Sequence, residues 1–254
     1  MIVLKSAREI ALIRAGGRIL IDVMAHLQKM VKPGVSTLEV DREVEELIAA
    51  RGARPAFKGY RGFPATVCTS INEEVVHGIP SAGRRVKEGD IISLDLGCVI
   101  DGYYADCAVT LAVGEVAPRV QGLLDTTRES LYKAIAECRP GRRLGDVSYA
   151  VQRHVEGRGF SVIRAFVGHG IGRELHEDPQ IPNVGEPNRG PELKPGMVLA
   201  VEPMATMGSW EVRILDDHWT AVTEDRSWAA HFEHTVAVTE AEPDILTSPD
   251  VSDA

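Results

Sequence analysis

The sequence predicts one α+β domain, two similar halves set around a central sheet, and three observations carry that reading. A passage of amphipathic helix followed by strands occurs twice along the chain. The second occurrence repeats the first, in the same order, at four places. Carboxylates and a histidine interrupt apolar, β-branched runs at the repeated positions.

The first 52 residues read as two helices. "SAREIALIRAGGRILIDVMAHLQKMV" opens with Ser6 and Glu9 at capping-box spacing and carries Ile10, Ile13, Leu20, Val23, Leu27 and Val31 at helical intervals, and Pro33-Gly34 stops it. Ser36 and Glu39 repeat the spacing ahead of "LEVDREVEELIAARG", which runs to Gly52. "DIISLDLGCVIDGYYADCAVT", residues 90–110, then reads as two strands joined at Asp101-Gly102.

From residue 138 the chain repeats itself. "ECRPGRRLGDVSYAVQRHVEGRGF" matches "MVKPGVSTLEVDREVEELIAARGARPAF" in order: helix end, Pro-Gly, turn, amphipathic helix, Gly. "VKEGDIISLDLG" is answered by "LKPGMVLAVEPM", with Gly89 six residues before Asp95 and Gly196 six before Glu202. "VVHGI" around His77 is answered by "VGHGIG" around His169, and "YADCAVTLAV" by "HFEHTVAVT", which sets Asp106 against Glu233. This is a duplication of roughly 110 residues and not a short solenoid repeat. Residues 1–240 are expected to form a single catalytic domain of two pseudo-symmetric halves, and 241–254, "AEPDILTSPDVSDA", a flexible acidic tail.

Composition excludes several classes. The formal charge of -9, with basic pairs only at Arg84-Arg85 and Arg142-Arg143, argues against a nucleic-acid surface. No apolar run approaches the about 18–20 residues of a membrane span, and Lys5, Arg8 and Glu9 interrupt any signal-peptide core. Cys68, Cys98, Cys107 and Cys138 form no CxxC pair, which argues against a structural zinc site or a disulfide framework; a cytoplasmic protein is expected.

The residues that break the strand pattern are Asp95, Asp106, His169, Glu202 and Glu233, with His77 as an extra histidine from the first half. A single strand carboxylate is ordinarily a salt bridge or an edge residue. Four in related apolar contexts, with few basic neighbours, need another source of positive charge. Two divalent cations would supply it, and the imidazole is a natural ligand. Oxygen and imidazole donors without thiolate suit Mn, Fe(II), Co or Zn, and a pair of such ions activates water for hydrolysis. "HEDPQ" at His176 lacks the second histidine of HExxH, and "GHGIG" at 168–172 lacks the context of a dinucleotide loop.

The order His77, Asp95, Asp106, His169, His176, Glu202, Glu233, in the motifs "NEEVVHGIP", "LDLGCVIDGYYAD", "GHGIGRELHEDP", "VEPM" and "FEHTVAV", resembles the type I methionine aminopeptidases of bacteria across residues 3–239. The resemblance implies the duplicated pita-bread (creatinase/aminopeptidase) fold, a central antiparallel sheet covered by helices. It also implies removal of the initiator methionine from nascent chains when the second residue is small. By motif, Asp106 and Glu233 would bridge two metal ions, Asp95 would complete the shell of one, and His169 with Glu202 that of the other. His77 and His176 match the histidines that contact substrate near the scissile bond, and Glu202 is counted with them as catalytic. Nascent polypeptide N-termini near the ribosome exit are the implied partners, and a monomer is expected. Only 30 residues separate Glu202 from Glu233, which leaves no room for the insertion of type II members.

"AFKGYRGFPATVCTS" gathers Phe57, Tyr60, Phe63 and Cys68, which read alone is either a loop packed on the core or one wall of an apolar slot. By resemblance Tyr60, Phe63, Cys68 and Trp219 line the pocket for the first side chain. Phe57, Leu175 and His218 depart from the pattern of bacterial relatives and bear on pocket shape. An Xaa-Pro peptidase and a non-catalytic peptide-binding relative share the implied fold. The first usually carries an extra N-terminal domain; the second usually loses ligands, and all five are present here.

Overall fold

The helices begin where the capping residues place them. In this computed structural model, which describes residues 1–248, α1 spans Ala7–Met30 and α2 spans Thr37–Ala50. Ser6 and Ser36 each accept a hydrogen bond from the backbone of the glutamate three residues on, and that glutamate's carboxylate reaches back to the serine. α1 buries Ile13, Leu20, Val23 and Leu27 along one stripe. After the first set of strands come α3, Pro118–Ala136, and α4, Leu144–Gly157.

Nine strands make the main sheet, and all its pairings are antiparallel. They are β1 (Arg54–Pro55), β2 (Val67–Ile71), β3 (Ile91–Ile100), β4 (Tyr103–Ala112), β5 (Gly168–Gly170), β6 (Glu177–Ile181), β7 (Val198–Val201), β8 (Glu233–Ala237) and β9 (Asp244–Ile245). Their order is β1-β3-β4-β8-β7-β5-β6; β2 also lies along β3, and β9 along β8. β3 and β4 pair without interruption from Ile91↔Ala112 to Ile100↔Tyr103. Asp101 and Gly102 both have positive φ, as a two-residue hairpin turn requires.

Successive side chains in a strand point to opposite faces, so register decides what meets. Leu94, Leu96 and Cys98 of β3 face away from Asp95, and Ala105 and Cys107 of β4 face away from Asp106. These apolar side chains pack with Ile13, Leu20 and Leu27 of α1 in one core cluster. Leu199 and Val201 of β7 and Val236 of β8 pack with Leu123, Leu131, Val147 and Val151 of α3 and α4 in a second. The helices of both clusters thus cover the sheet face opposite the one that carries the acidic residues.

The C-terminal segment differs from the expected tail beginning at residue 241. Asp244 and Ile245 pair with β8, Leu246 is buried and its backbone N–H donates to the Thr235 carbonyl at 2.8 Å. α1 makes room for this segment through Gly17, where any Cβ would overlap the Leu246 carbonyl. The apolar pair Ile245-Leu246 within a polar stretch is what binds it to the sheet. The rest of the expected tail, 249–254, lies outside the described residues. Among the described residues no helix is long and apolar enough to cross a membrane.

Candidate metal centre

Sheet register alone brings the acidic residues together. Ala108 of β4 pairs with Asp95 on one side and with Glu233 on the other, so the three form a row across β3, β4 and β8. Asp106, two residues before Ala108, shares that face. Further along, Ala200 of β7 pairs with both His169 of β5 and Thr235 of β8. Glu202 lies two residues beyond Ala200, and Glu233 two before Thr235, so they too share the face. Alanines at 108 and 200 leave the space between the acidic side chains open.

Burial makes this cluster electrostatically costly. Asp106 and Glu233 are almost fully buried, and Asp106 Oδ1, Glu233 Oε1 and Asp95 Oδ1 have no hydrogen-bond partner. Burial pushes the Asp95 carboxyl up to about 7. Asp106 and Glu233 are also raised well above the usual carboxylate range, first by burial and then by the neighbouring carboxylates, and Glu202 likewise. Such a group ionises fully only with compensating positive charge. Asp106, His169 and Glu233 each offer a ligand atom, all within 4.8 Å of one another. The imidazole is prepared for that use: His169 Nδ1–H donates to the Gly170 carbonyl at 2.9 Å, which leaves the Nε2 lone pair free, 3.5 Å from Glu202 Oε1. Burial lowers its pKa to about 4, so the ring is neutral. Oxygen and neutral imidazole donors with orphaned carboxylate oxygens fit a divalent cation.

The glycines around His169 are a packing requirement. A Cβ at Gly168 would overlap the Ala200 carbonyl oxygen, and one at Gly170 the Asp178 carbonyl. β5 therefore lies close enough to its neighbours to hold His169 over Glu202.

Opposite the acidic floor is an apolar wall, and the two enclose a cavity of about 170 Å³. Each proposed ligand, catalytic and pocket residue lines it: Asp95, Asp106, His169, Glu202 and Glu233, the aromatic residues Tyr60, Phe63 and Trp219, the histidines His77 and His176, and Cys68, which pairs with Asp95 and so lies on the sheet beside it. Phe63 meets Trp219 edge-on at 5.1 Å, and Tyr60 stacks on His176 at 5.2 Å while its hydroxyl lies 2.8 Å from His176 Nδ1. His77 sits at φ +62, a conformation disfavoured for a residue with a Cβ, with Phe166 and Trp219 edge-on to its ring. Burial keeps His77 below its usual pKa; His176, exposed on its outer side, is also lowered, by the part of its ring that is covered and then by His169 beside it. Of the departures, Phe57 and Leu175 line the cavity, whereas His218 is exposed in a turn outside it.

Three residues were not foreseen. Arg61 lines the cavity, its guanidinium 5.3 Å above the Tyr60 ring. Phe166 buttresses His77. His231, buried, lies beside Glu202 and Glu233. Strand alternation in "HFEHT" places His231 and Glu233 on one face, a signal present in the sequence; nothing local marks Arg61 or Phe166.

Comparison with known proteins bears on this geometry. The model of metallopeptidase family M24 matches residues 11–240. The chain is 52% identical over 247 residues to methionine aminopeptidase 1 of Bacillus subtilis, covering 97% of this chain and 99% of that protein. Its fold matches the crystal structure of a methionine aminopeptidase from Thermotoga maritima with a TM-score of 0.97 at 48% identity, over 98% of this chain and all of that one. A prolidase from Pyrococcus horikoshii shares the fold, with a TM-score of 0.79 at 22% identity; 98% of this chain aligns to 65% of that one.

Proposed function

Because the chain belongs to metallopeptidase family M24, alongside the methionine aminopeptidases, we propose that it removes the N-terminal methionine from polypeptides whose second residue is small. The carrying observation is one cavity with an acidic, cation-fitted floor and an apolar, aromatic roof. Two divalent ions (Mn, Fe(II), Co or Zn) would be held by Asp106 and Glu233 in common, with Asp95 serving one and His169 with Glu202 the other. When bound, such ions supply Lewis acidity and make water a competent nucleophile near neutral pH.

The chain's own residues do the rest. Tyr60, Phe63, Cys68 and Trp219 take the methionine side chain, and that remote binding aligns the scissile carbonyl with the floor. His77 and His176, both neutral, present imidazoles to the scissile amide, where an N–H stabilises developing charge. The Tyr60 hydroxyl on Nδ1 orients the His176 ring. Nascent chains in the cytoplasm are the natural substrates, met by the enzyme as a monomer.

The test is a panel of tripeptides varied at positions one and two. Met-Ala-Ser should be cleaved efficiently and its norleucine analogue, which only exchanges sulfur for a methylene, fairly; alanine first should be poor, since it lacks Cγ, Sδ and Cε and each missing methylene-sized group costs about 1–3 kcal/mol. Large second residues should block cleavage. Release of N-terminal Leu, Lys or Pro at rates like Met would sink the pocket assignment, and preference for an Xaa-Pro substrate would move the chain to the prolidase activity.

A further inference from the structure

His231 is 2% exposed, and neither of its ring nitrogens has a hydrogen-bond partner. A buried imidazole left this way is disfavoured unless a role retains it. The ring is aimed at the acidic floor: Nε2 lies 3.8 Å from Glu202 Oε2 and 3.9 Å from Glu233 Oε2. The other oxygen of Glu202, Oε1, faces His169 Nε2 at 3.5 Å. Glu202 therefore stands between two imidazoles, one toward each oxygen.

The backbone at His231 is held as firmly as at Asp106. Thr110 Oγ1 donates to the His231 carbonyl at 2.7 Å and accepts from the His231 N–H at 2.8 Å, and its remaining lone pair accepts from Ser93 Oγ at 2.8 Å. Thr235 Oγ1 does the same for Asp106, donating to its carbonyl at 2.8 Å and accepting from its N–H at 3.1 Å. His231 and Asp106 are thus pinned by the same device, a threonine hydroxyl spanning both backbone groups.

Resting on the metal-centre reading above, we propose that His231 is a positioning residue of that centre: its Nε2–H is shared by Glu202 Oε2 and Glu233 Oε2 and holds both carboxylates in ligating orientation. Both distances are within an ångström of hydrogen-bond length, a gap that a modest side-chain rotation closes. His169 occupies the ligand side of Glu202, with its lone pair free; His231 occupies the other. Partners that orient ligating carboxylates commonly govern metal affinity.

The experiment uses full-length protein stripped of metal and titrated with Mn(II), with the free ion followed by electron paramagnetic resonance and nitrogen couplings to the bound ion by electron spin echo. His231→Leu should weaken Mn(II) binding by about 10–100-fold. His231→Gln, which keeps an N–H at similar reach, should bind Mn(II) close to wild type with unchanged nitrogen couplings. Should His231→Leu fail to fold, His231→Asn, whose amide stops short of both carboxylates, carries the same expectation. Undiminished affinity in the Leu or Asn variant would overturn the proposal while leaving the metal centre intact. A nitrogen coupling lost in His231→Gln would overturn it in favour of direct ligation. A wild type that binds no Mn(II) would overturn the metal-centre reading itself.

Discussion

Residues 91–112 and residues 168–237 furnish the same acidic floor by different means. Asp95 and Asp106 come from one hairpin whose strands pair without a break over ten residues each. His169, Glu202 and Glu233 come from separate short segments, each held by pairing with other strands and, around His169, by glycines that let backbones approach closely. A long local ladder fixes its side chains largely by itself, whereas short strands depend on neighbours distant in sequence. The first region is in effect a platform, and the second is assembled on it.

If the centre draws equally on both regions, the two carboxylates proposed to serve both ions should be the most sensitive positions. Asp106→Ala and Glu233→Ala, one from each region, should each lose bound metal and cut kcat/KM by more than the about 10–100-fold typical of outlying partners. Asp95→Ala and Glu202→Ala should be less severe, because each is proposed to serve one ion. Metal content and kcat/KM measure both. A mild Asp106→Ala beside a severe Glu233→Ala would place the centre in the second region alone.

Next in size are the two flanking histidines. His77→Ala should lower kcat by about 10²-fold or more with metal content unchanged, the signature of a group acting in the transition state. His176→Ala should fall in the same class with a larger effect on KM. Loss of metal from His77→Ala would make it a ligand of the first region.

Backbone packing comes third. Gly168→Ala should cost about 1–3 kcal/mol in urea unfolding and weaken metal binding, since a Cβ there would force β5 off β7. Gly102→Ala, in the hairpin turn at φ +78, should cost about 1 kcal/mol and leave metal affinity unchanged. Equal effects of the two on metal affinity would remove the distinction between platform and assembled region.

The smallest effect concerns helix starts. Ser6 and Ser36 cap the helices ahead of the platform, whereas α3 starts at Ala117 with no side-chain cap. Ala117→Ser should raise stability by about 0.5–1 kcal/mol, and Ser36→Ala should lower it by a similar amount, both read from chemical denaturation.

The sequence by itself determined the starts of α1 and α2, the hairpin with its Asp101-Gly102 turn, and the chemical kind of the site. These rest on interactions within a few residues: capping geometry, side-chain periodicity, and the implausibility of unpaired carboxylates in apolar strands. Only the tertiary structure decided what faces what. That Ala108 sets Asp95 level with Glu233, that Trp219 closes on Phe63, that Phe166 backs His77 and that Leu246 docks against Gly17 all follow from register and crossover between segments far apart in the chain. His231 lies between the two cases. Alternation in the sequence puts it on the face of Glu233, but its nearness to Glu202 required the short strand Ala229–His231 to pair with Met204–Thr206, His231 opposite Met204, and a slip of one residue would turn its side chain to the opposite face.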